Sequence, residues 1–187
     1  MIPHLVPLPE GFTHLFVRKE LHERIPVLVT RYQRTPDLVY GIEHVTTVVG
    51  AEDDRLYGYT RHVATADDSR LPSPEEARRI AFDVLERIDA DHSAGLEVLW
   101  VRRHDERLAD SAATVAGIKV KTVHPNGLYT WVIVGEGGQV ITYERDVAWI
   151  GSESRRHTHM WLHDHWVAAH DAGGPEFDAP LARLTQS

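Results

Sequence analysis

Residues 55–64 read RLYGYTRHVA, and residues 139–148 read QVITYERDVA. Both stretches end in Tyr-x-Arg-x-Val-Ala, and each follows a β-branched run and a turn rich in Gly or acidic residues. A repeated strand-turn-strand pattern in one chain is typical of related structural units. The sequence therefore predicts two related units, each a β-hairpin followed by a helix, at about residues 46–89 and 131–170, within a single domain that spans residues 1–187.

The strongest helical pattern follows the first hairpin, over about residues 73–89. Ser73 is suited to cap the helix, Pro74 fits the first helical position, and Glu76 completes a capping box. Apolar residues then recur at three- and four-residue spacing: Ala77, Ile80, Ala81, Val84, Leu85 and Ile88. This single apolar stripe predicts a helix of about four turns that packs on a flat surface.

Four strands are predicted after this helix, from runs of β-branched and aromatic residues separated by polar or Gly-containing turns. They cover residues 96–103, 114–124, 128–134 and 139–149. A second helix is predicted over residues 157–170. The resulting order, β-β-α-β-β-β-β-α, predicts an α+β fold in which helices pack on one face of an antiparallel sheet.

The region before the first hairpin is ambiguous. Residues 12–32 mix helical and strand spacing, and Pro26 excludes one continuous helix. We interpret Pro26 as the boundary between a short helix or strand and a following strand.

The helix that begins at Ser73 is followed by a hairpin that reads YTWVIV at residues 129–134 and QVITY at residues 139–143. Over about residues 73–149 this combination resembles PepSY-type units and, more broadly, cystatin-like units, in which a helix lies against a curved antiparallel sheet. The resemblance implies protein binding or protease regulation, and it carries over no catalytic residues.

The composition narrows the possible functions. The 187 residues include 28 acidic and 20 basic side chains, which gives a net charge of −8, and no block of Lys or Arg suggests a nucleic-acid partner. There is no cysteine, so disulfides, thiol nucleophiles and thiolate metal sites are excluded. No segment has the pattern of a signal peptide or of a membrane span. We expect a cytoplasmic protein that binds neither nucleic acid nor membranes.

Histidines cluster in the second predicted helix. Five of the 13 histidines are His157, His159, His163, His165 and His170. On a helix, His159 and His163 are four residues apart and are candidates to chelate a divalent metal such as zinc. An alternative places His157 and His159 on an extended lead-in, and a third makes the histidines surface residues. We expect no cofactor and no structural metal, because His159, His163 and His170 spread too far along a helix to share one ion.

A second group of candidates lies on the two echoed strands and beside them. If the sheet curves around an open pocket, its lining would bind a small anionic ligand through six residues: Tyr59, Arg61, Trp131, Tyr143, Arg145 and Trp149. The alternative is that Arg61 and Arg145 are buried and paired with carboxylates in a purely structural role.

Three functions remain open. The leading expectation is a non-catalytic protein-interaction or inhibitor-like module, for instance an immunity-type partner of a basic toxin. The first alternative is a small-molecule binder or enzyme with a pocket under a curved sheet, and the second is a histidine-rich metal binder. No catalytic residue and no oligomeric state are predicted.

Overall fold

The computed structural model describes residues 8–109, 112–150 and 155–173. It contains a large antiparallel sheet, two longer helices and several short elements. The strands are β1 (Thr13–His22), β2 (Ile25–Gln33), β3 (His44–Gly50), β4 (Leu56–His62), β5 (Glu97–Arg107), β6 (Thr114–Val123), β7 (Tyr129–Val134), β8 (Val140–Val147), β9 (Trp149–Ile150) and β10 (Arg155–Arg156). The helices are α1 (Pro74–Ile88), α2 (Ala90–Ala94) and α3 (Asp164–Asp171).

Eight strands form one antiparallel sheet in the order β1-β2-β3-β4-β8-β7-β6-β5. The sheet is therefore two four-stranded meanders joined where β4 pairs with β8. At this junction Tyr59 lies opposite Tyr143, and Thr60 lies opposite Thr142. The two echoed stretches of sequence thus run beside each other through the centre of the sheet. The predicted α+β class with an antiparallel sheet is confirmed.

Helix α1 begins and packs as its sequence dictates. The Ser73 side chain accepts a hydrogen bond from the backbone N–H of Glu76, at 3.2 Å, which supplies a partner for a free N–H of the first turn. Three residues of the helix are completely or almost completely buried: Ala77, Ala81 and Leu85. They share a core cluster with Val120 of β6 and Val132 of β7, so α1 lies over the second meander.

Helix α3 lies on the other face of the sheet. Val45 and Val48 are three positions apart on β3, so their side chains project to opposite faces. Val45 belongs to the cluster of α1, whereas Val48 belongs to a second cluster with Trp166 of α3. The expectation that the helices pack on one face therefore differs from the structure, in which α1 and α3 cover opposite faces.

The start of α3 also corrects the prediction of a helix over residues 157–170, because the helix begins only at Asp164. The segment before it is held by contacts distant in sequence. Arg156 forms a buried ion pair with Glu144, and the Thr158 hydroxyl accepts a hydrogen bond from the backbone N–H of Ala148, at 2.8 Å. Hydrophobic periodicity does not register such contacts, and here they outweigh the helical pattern.

Residues 12–32 form no helix: β1 and β2 make a hairpin, with Pro26 inside β2 opposite Leu21. This position suits proline because it is near the start of β2, one residue before the pairing with β3 begins at Val27. Residues 1–7 and 174–187 of the predicted domain, and residues 151–154 of the second predicted unit, lie outside the described residues. None of the described helices is long and apolar enough to cross a membrane.

Candidate functional site: a histidine-lined cavity

A cavity of about 420 Å³ lies where α3 begins, on the face of the sheet that α3 covers. Its walls come from the ends of β3, β4 and β5, the segment before β3, and the first turn of α3. The lining residues are Gly41, His44, His62, Glu106, Arg107, Ala109, Leu162, His163, His165 and Asp164. Residues far apart in sequence therefore converge on one small volume.

The path of the chain explains this convergence. His44 and His62 are opposite each other in the pairing of β3 with β4. After β4 the chain continues to β6, where the backbone N–H of Thr65 donates to the carbonyl of Thr114, at 2.8 Å. This crossing brings β4 near β5, and His62 Nδ1 lies 3.6 Å from an oxygen of Glu106.

The rim of the cavity is closed by a contact that requires a glycine. The backbone N–H of Ala109 donates to the carbonyl of Gly41, at 2.8 Å. Gly41 has a φ of 80°, which side chains rarely adopt, and a Cβ placed there would lie 2.4 Å from the Cβ of Ala109. Any larger residue at position 41 would force this rim apart.

His44 is a fully buried polar side chain in the wall of the cavity. Its ring stacks on the His62 ring with 5.0 Å between centroids, and its Nδ1 lies 2.9 Å from the carbonyl oxygen of Ile42. Burial lowers the pKa of His44 to about 3, against the opposing charge of Asp164, so the imidazole is neutral near pH 7. Nδ1 must carry the proton to donate to a carbonyl, which leaves Nε2 as an acceptor. Within the described part of the chain this buried Nε2 has no hydrogen-bond partner.

Asp164 is the charged neighbour of His44 in the wall of the cavity. Its two carboxylate oxygens accept hydrogen bonds from Arg31 at 2.6 and 2.8 Å, and one of them also accepts from the backbone N–H of Gly41, at 2.7 Å. Burial alone would raise the pKa of Asp164. The hydrogen bonds from Arg31 and the nearby His44 outweigh this effect, so the pKa lies below its usual value. The carboxylate is therefore ionised and already well supplied with donors, so its role is to position its neighbours.

Glu106 supplies the negative charge beside the two stacked histidines of the cavity. His104 Nε2 lies 2.8 Å from one of its oxygens. Burial alone would raise the pKa of Glu106, but the hydrogen bond from His104 and the nearby histidine rings lower it to about 2. Burial also lowers the pKa of His62, and this effect outweighs the pull of Glu106. Near pH 7 the cavity thus presents the Glu106 carboxylate beside the neutral imidazoles of His44 and His62.

A buried ion pair lies next to the cavity. Arg156 contacts both oxygens of Glu144, with side chains 5% and 3% exposed. His163, which lines the cavity, has its Nε2 3.8 Å from Glu144. Burial would raise the pKa of Glu144, but the charge of Arg156 lowers it well below the usual range. This ion pair holds in place the segment that leads to His163 and the start of α3.

The six residues proposed to line an anion pocket are divided between the two faces of the sheet. Tyr59 and Tyr143 are buried in the cluster of α1, whereas Trp131 belongs to a separate cluster. Arg145 is buried and pairs with Asp89 and Asp146 at 2.8 and 2.9 Å, as the structural interpretation expects. Arg61 on β4 is half-buried, and Trp149 is 38% exposed with Lys121 over its ring. None of the six is among the described residues that line the cavity.

The histidine pair proposed for metal binding does not have the expected helical geometry. His163 precedes the first residue of α3, and His159 stacks on Trp161 in the extended segment. The alternative that places His157 and His159 on an extended lead-in is right for these two residues, but His163, which it places on the helix, is the residue just before α3. Within the described ranges, no group of three or more His, Cys, Asp or Glu side chains could hold a metal ion.

The sequence analysis missed His44, His62 and Glu106. A signal for the first two exists, since they flank the turn of the first hairpin at nearly equal distances. A bulge between Val48 and Val49 shifts the pairing by one residue, so an unbulged hairpin would place His44 opposite Arg61 instead.

Comparisons of the chain with protein-family models, curated proteins and solved structures return no match.

Proposed function

We propose that this protein binds a small polar molecule in the cavity between His44, His62 and Glu106. The observation that carries the proposal is the buried Nε2 of His44, an acceptor without a partner among the described residues. A buried polar group left unpaired costs free energy, and a ligand that donates to it recovers this cost. The volume, about 420 Å³, is within the range of small-molecule sites.

The electrostatics favour a ligand that carries hydrogen-bond donors. His44 offers a neutral acceptor, and Glu106 offers a carboxylate whose pKa of about 2 keeps it ionised. Asp164 is compensated by Arg31 and adds little free charge. Hydroxyl, amide or amine groups therefore suit the part of the lining that lies between His44 and Glu106.

Binding without catalysis by His44 is the simpler proposal. A general base works best when its pKa is near the working pH, and a pKa of about 3 makes the His44 imidazole a weak base. His44 is suited to accept a hydrogen bond and hold it. Of the functions considered from the sequence, the proposal therefore corresponds to the small-molecule binder.

The cystatin-like resemblance remains part of this proposal. It is supported by α1, which contacts β5, β6 and β7 within residues 73–149. A cytoplasmic location, the absence of a nucleic-acid partner and the absence of a metal also remain expectations, which rest on the charge and composition described above.

The proposal is tested by a ligand-observed NMR screen of alcohols, amides, ureas and amines against the wild type and two variants. His44→Phe keeps an aromatic ring to stack on His62 but removes Nε2. His124→Phe is the matched control, because His124 belongs to another stacked pair, with His92 at 4.9 Å, outside the cavity. We expect hits that are lost with H44F and kept with H124F. A screen without hits, or hits equally retained by H44F, would reject the proposal.

A further inference from the structure

An ammonium group surrounded by aromatic rings lies on the second meander, on the side opposite α1. Lys121 Nζ is 4.5 Å from the ring centroid of Tyr129, 4.8 Å from that of Trp149 and 5.8 Å from that of Trp100. The pairing of β5 with β6 places Trp100 beside Lys121, and Trp131 of β7 lies opposite Lys121 from the other side. Their side chains therefore share one face of the sheet.

More cations follow along the same face. Arg102 lies over the Trp100 ring at 5.6 Å, and Lys119 Nζ lies 4.1 Å from the ring centroid of Trp131. Among the described residues no carboxylate forms an ion pair with Arg102, Lys119 or Lys121. Burial lowers the pKa of Lys119 to about 8 and lowers that of Lys121 as well, so neither charge is fully solvated.

This composition contrasts with that of the chain as a whole, whose net charge is −8. Trp, Tyr and Arg are the residues that dominate the binding energy of protein interfaces. Cations on such a surface are matched by carboxylates of a partner. Trp149 is 38% exposed, so the surface retains apolar area for a partner to bury.

We propose that the surface formed by Trp100, Arg102, Lys121, Tyr129 and Trp149, the Lys121 surface, docks an acidic segment of a partner protein. Carboxylates of the segment would meet Lys121 and Arg102, and its apolar atoms would cover the Trp149 ring. This interaction uses a different part of the molecule from the cavity and does not depend on the ligand proposed there.

An acidic protein segment fits better than a nucleic acid. A nucleic acid brings a charge with every phosphate, and the surplus of acidic residues on this chain repels so dense a polyanion. The Lys121 surface has two cations, Arg102 and Lys121, and Lys119 lies deeper, beside Trp131. That number matches a short segment with a few carboxylates.

The test is fluorescence anisotropy at low and at high salt with two labelled probes: a peptide in which three glutamates alternate with leucines, the acidic peptide, and a ten-nucleotide thymidine DNA. We expect the acidic peptide to bind at low salt and to bind more weakly as salt screens the charges. Lys121→Glu should weaken binding about tenfold or more, since it turns an attraction into a repulsion. Lys19→Glu is the matched control, because it makes the same charge change at an exposed position of β1, at the far edge of the sheet.

Trp149→Ala is a second variant that introduces no charge, and circular dichroism first establishes that each variant is folded. We expect W149A to weaken binding of the acidic peptide as well, because the leucines of the peptide would cover the Trp149 ring. The proposal is overturned if the wild type does not bind the acidic peptide, if K19E weakens binding as much as K121E, or if the DNA binds more tightly than the peptide.

Discussion

Tyr59 of β4 and Tyr143 of β8 lie directly opposite each other at the junction of the two meanders, and both rings are buried under α1. Their hydroxyl groups differ. The Tyr59 hydroxyl is buried without a hydrogen-bond partner in the described chain, whereas the Tyr143 hydroxyl interacts with Arg145. Burial raises the pKa of Tyr59 to about 12, so the group stays neutral.

Replacing these tyrosines by phenylalanine should therefore have opposite effects. Tyr59→Phe removes an unsatisfied polar group and should leave the free energy of unfolding unchanged or raise it by up to about 1 kcal/mol. Tyr143→Phe removes a hydroxyl that interacts with the charged Arg145 and should lower it by about 1 kcal/mol. Urea denaturation of both variants measures the difference, and a larger loss for Y59F would contradict the assignment.

The rim of the cavity predicts an unequal response of two glycines. Gly41→Ala must strain a φ of 80° and also push a Cβ against Ala109, whereas Gly127→Ala meets only the strain, at a φ of 84° with open space around it. We expect G127A to cost about 1 kcal/mol and G41A at least about 1 kcal/mol more. Thermal and urea unfolding compare the two, and equal costs would show that the contact with Ala109 yields easily.

The buried pair of Glu144 and Arg156 predicts a large effect of removing one partner. Glu144→Gln keeps the shape but leaves the guanidinium buried without a counter-charge, and we expect a loss of about 3–5 kcal/mol in the free energy of unfolding. Asp83→Asn breaks the exposed pair with Arg79, whose side chains are 64% and 54% exposed, and should cost about 0.5 kcal/mol or less. Similar losses in the two variants would contradict the burial of the Glu144 pair.

The neutral state of His44 predicts a pH dependence of stability. In the folded protein the pKa is about 3, whereas the unfolded chain binds the proton near 6.5. The contribution of His44 is therefore fully present above pH 6.5 and is lost as the pH falls toward 3, which amounts to about 2 kcal/mol between pH 7 and pH 5. Urea unfolding of wild type and H44F at both values isolates this contribution, and parallel losses in the two proteins would show that His44 is charged when folded.

Local signals predicted α1 from the sequence because its determinants are neighbours in the chain. The Ser73 cap, Pro74 and the apolar stripe act within a few residues, and the structure has the helix at Pro74–Ile88. The strands from residue 96 onward were also identified, to within a few residues at their ends. The sequence did not predict which face of the sheet each helix covers, because that depends on where the chain crosses the sheet.

The cavity was beyond sequence reasoning for a different reason. His44, Glu106 and Asp164 come from three separate parts of the chain, and their convergence depends on the crossing at Thr65 and on the extended segment held by Arg156. The echoed strands drew attention to Tyr59 and Tyr143, which the structure places in the core. The repeated sequence pattern belongs to the two strands at the centre of the sheet, whereas the candidate site lies at the ends of β3, β4 and β5.

The central claim is that the cavity binds its ligand through His44 Nε2. The most direct measurement is a crystal structure of the wild-type protein soaked with the strongest hit of the NMR screen. The account predicts electron density for the ligand in the cavity, with a donor atom within about 3.2 Å of His44 Nε2. Density for the ligand at another surface, or an ordered ligand in the cavity that leaves His44 Nε2 without a donor, would contradict it.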